Sequence, residues 1–267
     1  MHRCELDRIT SRYERHGDGV PLLALHGWPI DHRVVEASFE RVFESRQGWE
    51  RIYPDLPGMG LTGGSDAIRT PDDVLDVMMA FVAETIGNSP FALAGYSYGG
   101  YLGTALADRL PGQVIGLCAV APGLPGAPPA EHATILANHD LVAGLDPTLA
   151  EAFQSIAVVQ TPEVLAAIVD LAAPARTIAD YRFLDRVGYE LSVDPTEGPT
   201  LEFPALLVAG RQDPSVGFEG TVGLHSRFSR GTLAVLDRAG HALMYEQSEL
   251  FVALAHEWLD RVEEWMG

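Results

Sequence analysis

The sequence predicts an α/β protein with a mostly parallel β-sheet and helices on both of its faces. Short apolar runs without polar alternation recur along the 267 residues, as expected for strands that are buried on both faces. Segments with helical periodicity separate these runs, and such alternation of strand and helix favours parallel pairing. The strand candidates are residues 22–25, 51–53, 91–94, 114–120, 206–209 and 233–236.

Local signals mark the first and last elements and one helix between them. Residues 4–16 are expected to supply an antiparallel lead-in to the sheet. After the second strand candidate, Thr70 suits an N-cap and Pro71 the first helical turn, and apolar residues recur at helical spacing over residues 74–86. The last helix is predicted over residues 248–266, where leucine and tryptophan recur on one side.

A long segment without strand patterning interrupts the alternation between residues 122 and 202. It opens with a run rich in proline and glycine, and a second loop at residues 194–200 leads back to the sheet. We therefore predict a core of residues 1–121 and 203–267 and a helical cap of residues 122–202. The helices of this cap are predicted at residues 130–142, 147–159, 162–173 and 175–191.

Composition narrows the class of partner. The formal net charge of −19 repels phosphates and argues against nucleic acids and anionic membrane surfaces. The N-terminus has no apolar signal segment, and no apolar run approaches the roughly 20 residues that span a bilayer, so we expect a cytoplasmic protein without a membrane anchor. A homo-oligomer is compatible with this composition. Of the two cysteines, Cys118 lies in an apolar run and is expected to be a core residue rather than a disulfide partner of Cys4.

Residues 95–99 read Gly-Tyr-Ser-Tyr-Gly and are the most informative stretch of the chain. They follow the strand candidate at 91–94 and precede a helical pattern at residues 101–110. A serine at a sharp turn between strand and helix holds its hydroxyl clear of the backbone, where it can act as a nucleophile. Because Gly-x-Ser-x-Gly also arises by chance, Ser97 needs support from other residues.

Two further residues stand where that chemistry needs them. Asp213 follows the strand candidate at 206–209, and His241 follows the last strand. A histidine can take the proton of Ser97 during attack and return it to the leaving group. An aspartate can hold the other ring nitrogen and stabilise the imidazolium. No acid follows the strand at 114–120, so Asp213 is the candidate acid.

These features resemble the α/β-hydrolase family over nearly the whole chain. Residues 26–29, His-Gly-Trp-Pro, follow the strand at 22–25, where the family has its oxyanion loop. Residues 55–60 match the family's Asp-x-x-Gly-x-Gly loop, and the chain order Ser, Asp, His is also that of the family. The resemblance implies an eight-stranded sheet and a helical cap.

The resemblance also implies roles for single residues. Ser97, Asp213 and His241 would form the catalytic triad, and the backbone N–H groups of Trp28 and Tyr98 would form the oxyanion hole. Trp28 and Tyr98 are also the candidates for substrate binding. The chain lacks the His-Glu-x-x-His and Cys-x-x-Cys spacings of metal sites, so neither a metal nor a cofactor is expected.

The remaining histidines and aspartates near these motifs are expected to be structural. His26 is expected to brace the oxyanion loop by hydrogen bonds, Asp55 to hold the turn of the glycine-rich loop and Asp31 to cap the helix that follows. His132 and His139 form no ligand pattern with neighbouring residues and are expected to lie at the surface or in the packing of the cap.

The identity of the nucleophile narrows the class of reaction. Haloalkane dehalogenases and epoxide hydrolases of this superfamily use an aspartate at the elbow, whereas serine favours acyl transfer. The aromatic residues Trp28, Tyr96, Tyr98 and Tyr101 and the apolar cap predict hydrolysis of a small, largely apolar ester or lactone. A carbon–carbon bond hydrolase or a cofactor-free perhydrolase would use the same triad, and a non-catalytic ligand-binding protein of this fold is the alternative from another class.

Two arginines of the predicted cap are relevant to whether the substrate carries a negative charge. Arg182 and Arg186 lie four residues apart on the last predicted cap helix and so share one face. They could meet a substrate carboxylate, but ion pairs with acids of the same helix are the expected role.

Overall fold

The computed structural model describes residues 1–126, 128–131 and 136–267 of the chain, and His139 by its backbone alone. The described residues form one eight-stranded sheet with helices on both faces. The strands are β1 (His2–Leu6), β2 (Ile9–His16), β3 (Val20–Leu25), β4 (Trp49–Pro54), β5 (Phe91–Tyr96), β6 (Val114–Val120), β7 (Leu201–Gly210) and β8 (Phe228–Leu236). The prediction for His132, and that for the side chain of His139, lie outside the described residues.

The sheet is parallel except at its N-terminal edge. The strand order is β1-β2-β4-β3-β5-β6-β7-β8. β1 pairs antiparallel with β2, and β2 pairs antiparallel with β4, whereas the other neighbours are parallel. This confirms the predicted fold class and the antiparallel lead-in. The carboxyl ends of β3, β5, β7 and β8 consequently lie along one edge of the sheet.

The helices that flank the sheet follow from local capping and apolar spacing. They are α1 (His32–Phe43), α2 (Pro71–Thr85), α3 (Tyr98–Arg109), α8 (Glu219–His225), α9 (Leu243–Glu246) and α10 (Ser248–Met266). The helices numbered between α3 and α8 belong to the segment between β6 and β7 and are described below. α2 starts at the predicted Pro71 behind a capping box of Thr70 and Asp73, and α10 has its predicted bounds. None of the described helices is long and apolar enough to cross a membrane.

Two hydrophobic clusters lie on opposite faces of the sheet. Successive residues of a buried strand contribute to opposite faces, as Leu22 and Leu23 do. One cluster joins the sheet to α2 and α3, and the other joins it to α1 and α10. Cys118 is fully buried in the second cluster, and both it and Cys4 are free thiols. The continuous apolar runs of the sequence therefore reflect burial on both faces.

The segment between β6 and β7 is mainly helical, but its element bounds differ from the prediction. It contains α4 (Pro147–Ile156), α5 (Pro162–Ala166), α6 (Ala173–Ile178) and α7 (Tyr181–Val187), and a π-helical stretch, Ala167–Ala172, joins α5 to α6. The helix predicted at 175–191 is divided because the chain is extended at Ala179 and Asp180 caps a new helix by accepting from the N–H of Phe183.

The helix predicted at residues 130–142 is wrong. Among the described residues, Leu136 forms a β-bridge with Val159, and only His139–Val142 forms a short 3₁₀-helix. The N–H of Leu136 donates to the carbonyl of Val158, so its backbone pairs with a distant segment instead of with its own turn. The same bridge ends α4 at Ile156, three residues before the predicted end.

The boundary predicted between residues 202 and 203 is also displaced. β7 begins at Leu201, which pairs with Phe228 of β8, so the sheet resumes before the predicted boundary. A register shift lies between Leu201 and Pro204, and Glu202 is exposed, which breaks the apolar run by which the strand is recognised in the sequence.

Candidate active site

Ser97 occupies the sharp turn between β5 and α3. Its φ of 54° lies in the left-handed region, which is unfavourable for a residue with a side chain. Its N–H donates to the carbonyl of Val120, 2.9 Å away, on the neighbouring strand. A Cβ atom at Gly95 would overlap the backbone of Gly99, and one at Gly99 would overlap that of Leu25, so the turn requires glycine at both positions.

The structure brings together the three residues predicted to form a triad. The Nε2 atom of His241 lies 3.2 Å from the Oγ of Ser97, and its Nδ1 lies 2.8 Å from Oδ2 of Asp213. Asp213 follows β7 and is fully buried, whereas His241 lies in the loop after β8. A hydroxyl nucleophile, a base and an acid that orients the base need this arrangement, in which the histidine lies within hydrogen-bond distance of both partners.

Backbone donors fix the orientation of Asp213. Its Oδ1 accepts from the N–H groups of Ser215 and Val216 at 2.8 and 3.0 Å, which leaves Oδ2 for His241. The carboxylate is thus held by three donors at the end of a rigid strand. Such an arrangement keeps the ring of His241 in one orientation and stabilises positive charge on it.

A second buried carboxylate, Glu246, holds the loop of His241 from behind. Its Oε2 accepts from the N–H of Gly240 at 2.6 Å, and its Oε1 accepts from Val158 and Val159 at 2.5 and 3.2 Å. Burial raises the pKa of Glu246, and the three N–H donors oppose that rise. Glu246 therefore ties the histidine loop to the segment between β6 and β7.

Sequence reasoning missed Glu246, although one signal was available. It is the acid that ends the apolar stretch after His241, and Leu243 and Met244 of that stretch are buried. An acid within a buried apolar stretch needs several donors to offset its desolvation.

The loop after β3 lies directly over the serine. A Cβ atom at Gly27 would stand 3.0 Å from that of Ser97, a tight contact, so glycine favours this close approach. Trp28 follows, its peptide bond to Pro29 is cis, and its ring meets that of Tyr98 edge-on at 5.2 Å. Tyr98 is the first residue of α3, whose N-terminus carries partial positive charge.

His26 braces this loop from below. It is fully buried, its Nε2 accepts from the N–H of Leu56 at 2.9 Å, and its Nδ1 lies 2.8 Å from the carbonyl of Gly27. Burial lowers the pKa of His26, which matches a neutral ring that accepts at Nε2 and donates at Nδ1. The contacts of His26 are those of the bracing residue that the sequence predicts.

A cavity of about 630 Å³ opens in front of the serine. Ser97, His241 and Trp28 line it, together with apolar side chains of the segment between β6 and β7. The side chain of Tyr98 is fully buried in the core cluster, so any contact between Tyr98 and a bound molecule is left to its backbone. Tyr101 is likewise buried, and its hydroxyl accepts from the N–H of Leu191.

Two tyrosines that the sequence analysis did not select also line the cavity. They are Tyr189 and Tyr245, and Tyr96 lines it as predicted from the aromatic set. Tyr189 follows α7 and Tyr245 lies within α9, so their approach to Ser97 depends on how distant elements pack. No local pattern of the sequence identifies them.

The aspartates near the oxyanion loop form a separate buried network. In the described part of the chain, ligand atoms of Asp31, His32 and Asp55 lie within 4.8 Å of one another. Asp55 accepts from the Nδ1 and the N–H of His32 and from the N–H of Leu61, while Asp31 caps α1 and pairs with Arg33. Each member thus already has protein partners, and the group holds the glycine-rich loop against α1.

Arg182 and Arg186 lie elsewhere than the sequence analysis suggested. Arg186 donates to the carbonyls of Ile68 and Ser65, which places it against the glycine-rich loop and outside the cavity lining. Arg182 is exposed. The arginine that lines the cavity is Arg176 of α6, which sequence reasoning missed because helical spacing alone does not show which face of a cap helix meets the core.

Comparison with known proteins identifies the family. A model of the Alpha/beta hydrolase family matches residues 22–254 of the chain. The protein therefore belongs to the α/β-hydrolase family.

Individual relatives are hydrolases of different substrates. A pimeloyl-[acyl-carrier protein] methyl ester esterase of Legionella pneumophila (strain Paris) is 33% identical over 101 residues, which are 38% of this chain and 37% of that relative. A 2-hydroxy-6-oxononadienedioate/2-hydroxy-6-oxononatrienedioate hydrolase of Burkholderia vietnamiensis is 26% identical over 261 residues, covering 92% of this chain and 85% of that relative.

A solved structure extends the similarity over the whole fold. The alpha/beta superfamily hydrolase from Oenococcus oeni PSU-1 has a TM-score of 0.86 and 28% identity, with 98% of this chain and 100% of that chain covered. The match to the Legionella esterase, in contrast, spans little more than a third of that protein. The similarities therefore support a hydrolase in general and leave the substrate to be inferred from the site.

Proposed function

We propose that the protein is a serine hydrolase that cleaves a small, largely apolar carboxylic ester or lactone through an acyl-enzyme. The observation that carries this proposal is the contact chain from Ser97 through His241 to Asp213, with distances of 3.2 and 2.8 Å, at the wall of a cavity of about 630 Å³. A cavity of this size suits a small molecule.

The chemistry follows from the positions of these groups. His241 takes the hydroxyl proton at Nε2 while the Oγ of Ser97 attacks the carbonyl carbon, and Asp213 stabilises the resulting imidazolium. The backbone N–H groups of Trp28 and Tyr98 bind the oxyanion of the tetrahedral intermediate, helped by the positive end of α3. His241 then protonates the leaving alcohol, and the acyl group stays on Ser97. In the second half of the reaction His241 takes a proton from water, the water oxygen attacks the acyl carbon, and His241 returns the proton to the Oγ of Ser97 as the acid leaves.

The segment of residues 122–202 serves in this proposal as a cap over the site. Leu149, Ile156 and Ile168 of that segment line the same cavity as the serine. An apolar wall excludes water and strengthens the electrostatic interactions that stabilise the oxyanion. The cap would therefore select the acyl or alcohol group, while the core supplies the reacting atoms.

A carbon–carbon bond hydrolase is the second candidate. The Burkholderia relative that matches most of the chain is named as a hydrolase of 2-hydroxy-6-oxononadienedioate, a keto acid that has no ester or lactone bond to cleave. Both candidates use a serine, a histidine and an aspartate, so they differ in the substrate and not in the triad. Parallel turnover assays with 4-nitrophenyl esters, lactones and 1,3-diketones would separate them, since only the second candidate would cleave the diketones faster than the esters.

A fluorophosphonate probe tests the proposal. Wild-type protein should be labelled covalently, and peptide mass spectrometry should locate the label on Ser97, whereas Ser97→Ala should stay unlabelled. Circular dichroism of both proteins serves as the control for folding. A folded wild-type protein that is not labelled and hydrolyses none of these substrates would contradict the proposal and favour a ligand-binding protein of this fold.

A further inference from the structure

The charge of the cavity wall is unlike that of the rest of the protein. The chain carries a formal net charge of −19, yet no aspartate or glutamate is among the described residues that line the cavity. In that lining, Arg176 is the one residue with a permanent charge. A bound molecule therefore meets a positive group against an otherwise uncharged wall.

The tyrosines of the wall are not free to bind an anion. The hydroxyl of Tyr96 donates to the carbonyl of His241, that of Tyr189 donates to Gly123, and that of Tyr245 donates to Val34, at 3.1, 2.8 and 2.6 Å. Burial raises the pKa of all three tyrosines, and that of Tyr245 reaches about 12, so they are neutral near pH 7. Their rings add apolar surface to the cavity, and their only O–H donors are already used.

Arg176 faces the cavity from one side of its helical segment. Ala172, Ala173 and Thr177 also line the cavity, and a spacing of three to four residues places these positions on one face. In the described part of the chain, the side chain of Arg176 forms no ion pair or hydrogen bond, although acidic residues outnumber basic ones by 37 to 18 in the sequence. Its side chain is exposed, so its charge stays hydrated until a ligand arrives.

The positive charge of Arg176 acts on another group of the cavity wall. Burial and the charge of Asp213 raise the pKa of Tyr96, and Arg176 opposes that rise. Tyr96 immediately precedes Ser97 and lines the same cavity. Because salt screens charges beyond about 8 Å, a group within the cavity responds to Arg176 more than to the distant acidic surface.

We propose that Arg176 binds a carboxylate at the end of the substrate's acyl chain that is remote from the scissile ester. This inference rests on the serine hydrolase function proposed above and names its substrate class: half-esters of dicarboxylic acids, with an apolar chain between the two acyl ends. The guanidinium offers paired N–H donors that match the two carboxylate oxygens. Hydrolysis then releases the alcohol and a dicarboxylate.

Matched substrate pairs test this inference. The mono-4-nitrophenyl esters of straight-chain dicarboxylic acids are compared with the 4-nitrophenyl esters of monocarboxylic acids of equal chain length. The wild-type protein should prefer the acidic member at the chain length that reaches Arg176, by about tenfold or more in kcat/KM, the effect of one charge-assisted hydrogen bond. Added sodium chloride should reduce this preference, because it screens a partly exposed pair.

Two variants separate the role of Arg176 from a general charge effect. Arg176→Gln should reduce the ratio of kcat/KM between the acidic and neutral esters to about one. Arg182→Gln removes the same charge from an exposed arginine of the next helix, outside the cavity lining, and should leave the ratio as in the wild type. Fluorophosphonate labelling of Ser97 confirms that each variant has a competent nucleophile.

The outcomes of these experiments distinguish the role of Arg176 from the serine hydrolase function on which it rests. Hydrolysis of both ester series without preference for the acidic member, or an equal change of the ratio in both variants, would overturn the role of Arg176 and leave the serine hydrolase in place. No hydrolysis of either series and no labelling of Ser97 would overturn the hydrolase function itself and this inference with it.

Discussion

The described part of the molecule contains two aspartate–histidine pairs with nearly the same geometry. The Nδ1 of His241 lies 2.8 Å from a carboxylate oxygen of Asp213, and the Nδ1 of His32 lies 2.7 Å from one of Asp55. Both aspartates are fully buried, and both also accept hydrogen bonds from backbone N–H groups. By the contact between acid and imidazole alone, the two pairs are equivalent.

They differ at the other ring nitrogen. The Nε2 of His241 faces the hydroxyl of Ser97 at 3.2 Å and a cavity, whereas the Nε2 of His32 faces a carboxylate oxygen of Glu36 at 3.7 Å. The first arrangement can pass a proton to a reacting molecule, and the second places the ring between two acids. An aspartate–histidine pair therefore becomes a base only where a nucleophile and space for a substrate adjoin it.

The largest effect should come from removing the nucleophile. Ser97→Ala is expected to reduce kcat for a 4-nitrophenyl ester by about 10⁴-fold or more, because nucleophile and base act as one unit. The unfolding midpoint in urea should stay close to that of the wild type. A variant that kept more than about a tenth of the activity would show that the reaction uses another group.

The comparison between the pairs is sharpest in two matched substitutions. Asp213→Asn should lower kcat by about 10⁴-fold, because the amide favours the wrong tautomer of His241. Asp55→Asn changes an equally buried acid and should lower kcat by less than about tenfold, since its partner His32 does not face the cavity. Steady-state kinetics of both variants measure the difference. Equal losses would mean that the His32–Asp55 pair takes part in the reaction.

Asp55→Asn should lower the free energy of unfolding more than Ser97→Ala does, although its effect on activity should be smaller. Asp55 accepts from His32 twice and from Leu61 once, and it is fully buried. Asp55→Asn should therefore cost about 2–3 kcal/mol in the free energy of unfolding. The amide nitrogen of asparagine is itself a donor, so it cannot accept from the N–H groups that now bond to the carboxylate. Urea denaturation measures this loss, and a loss below that of Ser97→Ala would contradict a structural role for Asp55.

The positions of the site residues were predictable because they depend on local features. Ser97, Asp213 and His241 each follow an apolar run, and parallel strands bring their carboxyl ends to the same edge of the sheet. The glycines on either side of Ser97 add a requirement that the sequence itself displays. The prediction of a mostly parallel sheet was enough to expect these residues at one edge of it.

The remaining parts depend on contacts that have no local signal. The bridge between Leu136 and Val159 overrides the helical pattern at residues 130–142, because it pairs segments that are distant along the chain. The contact of Glu246 with Val158 depends on how the segment between β6 and β7 packs against the histidine loop. The lining of the cavity by Arg176 likewise depends on how α6 lies over the core, which spacing along one helix does not determine.

The smallest expected effect concerns the difference in unfolding free energy between the wild type and Asp55→Asn, which should depend on pH. Burial alone would lower the pKa of His32, but its hydrogen bond to Asp55 and nearby negative charges outweigh burial and raise that pKa. Burial alone would raise the pKa of Asp55, but the hydrogen bond from His32, the charge of His32 and the N–H of Leu61 lower it. The pair thus stabilises the fold most when His32 is charged and Asp55 is ionised.

The sign of each shift sets the range of pH. The contribution of His32, whose pKa is raised, is complete below its ordinary pKa of about 6.5 and is lost as pH rises through the raised value. The contribution of Asp55, whose pKa is lowered, is complete above its ordinary pKa of about 3.9 and is lost as pH falls through the lowered value. The difference in unfolding free energy between the wild type and Asp55→Asn should therefore be largest between about pH 4 and 6.5. Urea denaturation of both proteins across pH 4 to 9 checks this, and a difference that grows above about pH 7 would contradict a charged His32 in the folded protein.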